Sequence, residues 1–71
     1  MPYVLIQVTD EGVTAEQKQT LIRGATDLLV NTLNKDPAQT FVVIEEVNTD
    51  NWGAGGVSVT EIRKRQRAQV R

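Results

Sequence analysis

Residues 3–9, Tyr-Val-Leu-Ile-Gln-Val-Thr, and residues 40–47, Thr-Phe-Val-Val-Ile-Glu-Glu-Val, bracket one amphipathic segment, and that order decides the fold. Both runs are rich in β-branched and aromatic types, which suit strands. In the first, Val4, Ile6 and Val8 face one way and Tyr3, Leu5 and Gln7 the other, because side chains alternate along a strand. Both faces are largely apolar, the pattern of a strand covered on both sides. Asp10-Glu11-Gly12 reads as a turn. Thr14 then opens a helix, since Thr14-x-x-Gln17 matches a capping box. Leu21, Ile22, Ala25, Leu28, Leu29 and Leu33 recur at spacings of a helix face and form one broad apolar stripe. Asn34-Lys35-Asp36-Pro37 ends the helix, because the residue before proline disfavours helical geometry.

A strand, a helix and a strand make a β-α-β unit with parallel strands and a right-handed crossover, placing the chain in the α+β class. The helix covers one face of the sheet. The other face stays apolar and open, which marks an interface. A second copy of the chain is its simplest partner.

Outward from this unit the signals weaken. Asn48 to Gly56 is a turn region holding Gly53, Gly55 and Gly56. Val57-Ser58-Val59-Thr60 reads as a short strand or the arm of a C-terminal hairpin. Residues 61–71 carry Arg63, Lys64, Arg65, Arg67 and Arg71 and read as a frayed helix or a basic, mobile tail. The whole of 1–71 is one domain.

Composition narrows the chemistry. The 71 residues contain no Cys and no His. That excludes disulfides, thiolate sites, imidazole catalysis and Ser-His or Cys-His arrangements. No metal-ligand cluster stands out, and no cofactor is expected. A chain this short seldom stabilises itself through its core alone, so oligomerisation is the remaining support. The net charge of −1 argues against a general nucleic-acid binder. No stretch suits a membrane span, and the N-terminus lacks a signal-peptide pattern, so the cytoplasm is the expected compartment.

Four features invite a chemical reading. Asn51-Trp52-Gly53-Ala54-Gly55-Gly56 is glycine-rich but does not open a helix and lacks the Lys-Ser/Thr of a phosphate loop. It is a turn that carries Trp52 into a core or against a substrate. The basic run near the C-terminus is ordinarily solvated, though one arginine could reach a carboxylate substrate on a neighbouring chain. Glu45 and Glu46 are adjacent on a strand, point to opposite faces and cannot form an acid/base dyad. Pro2 directly precedes the first strand. Once Met1 is removed, its nitrogen becomes a rigid secondary amine able to act as a general base.

Taken in order, Met1-Pro2 before an apolar strand, Gly12, Thr14-Ala15-Glu16-Gln17-Lys18, Leu21-Ile22-Arg23, Val42-Val43-Ile44-Glu45-Glu46-Val47 and Asn51 to Gly56 resemble the tautomerase superfamily. The likeness is to its small 4-oxalocrotonate tautomerase-type members and spans about residues 2–64. The resemblance implies a β-α-β fold with a short C-terminal hairpin, paired into dimers and assembled into hexamers. It implies Pro2 as the catalytic base and Trp52 as a pocket wall. Members acting on unsaturated dicarboxylates carry an arginine just after the first strand and another at the start of the second; Val13 and Phe41 stand here instead. The implied substrate is a small enol or 2-oxo acid, a monoacid or an aromatic enol, with Phe41 and Trp52 holding a ring and Arg63 the carboxylate. Two further readings follow. One is a proline-based hydratase or dehalogenase using Glu11 to activate water. The other is a non-catalytic oligomeric or binding protein of the same fold.

Overall fold

The capping box forms as the sequence predicts. In the computed structural model, which describes residues 1–69, the Thr14 hydroxyl accepts from the Gln17 backbone N–H at 3.1 Å. The Gln17 side chain accepts in return from the Thr14 N–H at 2.9 Å. Two otherwise unpaired donors are satisfied reciprocally, and helix α1 runs from Ala15 to Leu33. It closes at Asn34, whose N–H still donates to the Val30 carbonyl and whose left-handed φ of 56° turns the chain out of the helix.

Strands β1 (Tyr3–Thr9) and β2 (Phe41–Val47) pair in parallel, from Tyr3 opposite Phe41 to Thr9 opposite Val47. One further bond continues the ladder at each end. Phe41 N–H donates to the Pro2 carbonyl at 3.0 Å, and Asp10 N–H to the Val47 carbonyl at 2.8 Å. β3 (Gly53–Ala54) and β4 (Val57–Ser58) form the expected antiparallel hairpin. Its turn residues Gly55 and Gly56 both have positive φ, 61° and 82°, as a two-residue hairpin turn requires.

The C-terminal segment departs from the sequence reading. Val59 and Thr60, read as part of a hairpin arm, are the first turn of helix α2 (Val59–Gln69). The Ser58 hydroxyl accepts from the Glu61 N–H at 3.2 Å and caps that turn. Residues 59–69, read as hairpin arm, frayed helix or mobile tail, are therefore helical. Residues 70–71 of that tail lie outside the described residues.

Alternation along the strands is visible in their exposure. Val4, Ile6, Val8, Val42, Ile44 and Glu46 are half-buried under α1. Tyr3, Leu5, Phe41 and Val43, on the open face, are 61%, 44%, 47% and 44% exposed. Adjacent Glu45 and Glu46 do point to opposite sides. Glu46 pairs with Lys18 of α1 at 2.6 Å, whereas Glu45 accepts a 2.5 Å hydrogen bond from Gln7 on the open face.

The helix stripe is wider than its platform. Two strands about 5 Å apart support a width close to one helix diameter, roughly 10 Å. Ile22, Ala25, Leu29 and Val30 pack down, but Leu21, Leu28 and Leu33 stay exposed. Among the described residues no side chain is fully buried. The accessible surface is 5452 Å². A folded monomer of this mass exposes about 4,400 Å². The radius of gyration is 16.3 Å. A compact chain of this length has about 11 Å. The surplus area of roughly 1,000 Å² exceeds the ~800 Å² each partner contributes to a standard interface.

An open apolar sheet face of this extent suits self-association. Sedimentation of the wild type should give an oligomer. Val43→Asp, which would bury an unpaired charge there, should raise the dissociation midpoint by about tenfold or more. A wild type that sediments as a folded monomer would contradict this.

Candidate active site

Parallel pairing gives the sheet two unlike edges. Pro2 and Phe41 lie at the N-terminal edge, joined by the carbonyl-to-amide bond. Pro2 is half-buried; Phe41 projects onto the open face beside Tyr3. The C-terminal edge collects the turn after β1, the turn after β2 and the start of α2. There lie Glu11 and Val13, then Trp52, then Arg63. A seven-residue strand, roughly 23 Å long, separates the two edges. The four residues singled out from sequence thus fall into two pairs, Pro2 with Phe41 and Trp52 with Arg63, which one copy does not bring together.

Trp52 is half-buried and fixed through its backbone. Its N–H donates to the Thr49 carbonyl at 3.5 Å, and its carbonyl accepts from the Val59 N–H at 2.7 Å. The Thr49 and Thr60 hydroxyls share a 2.6 Å hydrogen bond that ties the same turn to α2.

Arg63 closes a network that the sequence did not disclose. Its Nη2 lies 2.9 Å from Glu11 Oε1 and donates to Thr9 Oγ1 at 3.4 Å. Thr9 Oγ1 donates in turn to Glu11 Oε2 at 2.6 Å. Both carboxylate oxygens are engaged. The remainder of the guanidinium fork, Nη1 and Nε, makes no hydrogen bond among the described residues. The Thr9 hydroxyl hydrogen bond, first, and the Arg63 charge, second, hold the Glu11 carboxyl below the ordinary glutamate range. Partial desolvation opposes them without winning.

Two open grooves flank this edge. One is lined by Val13, Thr14, Glu16, Gln17, Thr20 and Leu21. The other is lined by Glu11, Arg63, Gln66 and Arg67. Neither includes Pro2, Phe41 or Trp52. Among the described residues no His, Cys, Asp or Glu cluster could hold a metal ion, and no helix is long and apolar enough to cross a membrane.

Comparison with known proteins gives a consistent picture. Residues 2–62 match the family model described as tautomerase enzyme. The chain is 64% identical over 64 residues to probable tautomerase K2 of Dickeya dadantii, covering 90% of this chain and 96% of that protein. The crystal structure of DmpI from Helicobacter pylori superposes with a TM-score of 0.83 at 46% identity, covering 89% of this chain and 97% of that one. A heterohexamer 4-oxalocrotonate tautomerase from Chloroflexus aurantiacus superposes at 0.77 with 30% identity, covering 89% and 100%.

The Glu11 network has a definite pH signature. A carboxyl depressed in the folded state contributes stability above its unfolded pKa and loses it as pH falls through the folded value. Carboxyl NMR should place Glu11 below the ordinary range, and Thr9→Val should move it upward. An unmoved midpoint in Thr9→Val would refute the assigned cause.

Proposed function

This chain belongs to the tautomerase family, and on that premise we propose that it is a keto–enol isomerase of a small enol or 2-oxo acid. Pro2 acts as general base once Met1 has been removed. The observation that carries this reading is the placement of Pro2 immediately before β1, with its carbonyl locked to Phe41 at 3.0 Å. The ladder fixes the peptide, the ring fixes the nitrogen, and removal of Met1 turns an amide into a secondary amine. Burial in an assembled pocket would disfavour its charged form and bring it towards a useful basicity.

The chemistry is a proton relay. The Pro2 nitrogen takes the enol hydroxyl proton. The O–H electron pair becomes the carbonyl π bond, and the displaced C=C pair receives the proton at carbon from the same nitrogen. Negative charge accumulates on the oxygen and carboxylate during transfer. The free edge of Arg63 supplies the opposing charge, and Trp52 supplies an apolar wall that keeps water out.

Pro2 and Arg63 sit at opposite ends of β1, so the working site takes them from different copies. A closed ring of copies, a homohexamer, meets that need and covers the open sheet face. The Chloroflexus relative is itself described as a heterohexamer. The hydratase or dehalogenase alternative needs Glu11 as a base. Its two oxygens are occupied and its basicity is lowered, which favours isomerisation.

Pro2→Ala should lower the rate of ketonisation of a small enol acid by about 10²–10⁴-fold. Any residue retained before Pro2 should do the same. Unchanged rates in both forms would refute Pro2 as the base.

A further inference from the structure

We propose that Glu11 sets the charge of the substrate groove and thereby fits it to an acid with one carboxylate rather than two. The inference rests on the proline-isomerase reading and deepens it by naming a specificity residue.

The groove is lined by one carboxylate, two guanidinium groups and an amide: Glu11, Arg63, Arg67 and Gln66. The lining that one copy supplies therefore carries the formal charge of a single cation. Of the other cations near this edge, two are already matched, whereas Asp10 and Glu16 make no ion pair among the described residues and add negative charge beside the groove. Lys18 is paired with Glu46 at 2.6 Å, and Arg65 with Glu61 at 3.5 Å. The residue at the lip of the adjoining groove, Val13, is apolar and offers nothing to a second carboxylate. A monoanion placed on the free edge of Arg63 neutralises the groove. A dianion leaves an uncompensated charge beside Glu11, and like charges in juxtaposition are penalised.

Glu11 is tethered beside the guanidinium through both of its oxygens. Arg63 holds Oε1 at 2.9 Å and Thr9 holds Oε2 at 2.6 Å. The same contacts occupy Nη2 of Arg63 and leave Nη1 and Nε without a hydrogen bond among the described residues. Glu11 therefore acts through Arg63. It orients the guanidinium and halves the positive charge that a substrate meets.

The test uses the assembled enzyme, wild type, Glu11→Gln and Glu11→Asp, with phenylenolpyruvate as monoacid and 2-hydroxymuconate as diacid. In Glu11→Gln the ratio of kcat/KM for diacid over monoacid should rise by about tenfold, through KM and fading at high salt. Glu11→Asp, which keeps the charge, should keep the wild-type ratio. An unmoved ratio in Glu11→Gln, or a change confined to kcat, would overturn the proposal. So would Arg63→Ala that leaves both KM values unchanged, even with Pro2 chemistry intact. Failure of the underlying reading shows separately, as full turnover by Pro2→Ala. If the wild type turns over neither acid, calorimetric binding of phenylpropionate and adipate reads the same ratio, and equal ratios in wild type and Glu11→Gln overturn the proposal.

Discussion

A two-stranded parallel sheet covered on one side only is the constraint from which the rest follows. β1 and β2 present apolar residues on both faces, and the chain supplies one helix to cover them. Tyr3, Leu5, Phe41 and Val43 are left in solvent, and among the described residues nothing is fully buried. Hydrophobic burial is the main favourable term in folding, so a chain in this condition completes its core with other copies.

The same geometry governs the site. Parallel strands send their N-terminal ends to one edge and their C-terminal ends to the other. Pro2 leads into β1, whereas Glu11, Trp52 and Arg63 all follow strand ends. No local adjustment of side chains spans a seven-residue strand. Under the proposed function, assembly that satisfies the open face is therefore also what would bring Pro2 to Arg63 and Trp52. Polar contacts on the two faces divide the labour. Lys18–Glu46 ties helix to sheet beneath the covered face, and Gln7–Glu45 sets a polar rung at the end of the apolar one. Arg63, Thr9 and Glu11 tie α2 to the end of β1.

Much of this was legible in the sequence, because local periodicity and local capping carry it. Thr14 and Gln17 announced α1, the two alternating runs announced the strands, and the hairpin was expected from Val57-Ser58 after a glycine-rich turn and from the family resemblance. The opposed directions of Glu45 and Glu46 followed from the strand period alone. Three things were not read. The start of α2 at Val59 was hidden by β-branched residues, although Ser58 and Glu61 carried a capping signal that would have found it. The exposure of Leu21 and Leu28 depends on the width of the sheet, which a helix pattern does not encode. The Arg63–Glu11–Thr9 network joins residues more than fifty positions apart in sequence, and no spacing rule reports such a contact.

The central claim is that Pro2 and Arg63 of one site come from different copies. Mixing two disabled variants, Pro2→Ala and Arg63→Ala, tests it most directly. The two are unfolded together, refolded together and assayed against each variant refolded alone. Random assembly should restore about a quarter of the wild-type rate, because that share of sites receives both intact residues. Activity no greater than the average of the two separate variants, in oligomers shown to contain both chains, would place the two residues in one copy or remove Arg63 from the site, and would contradict the account.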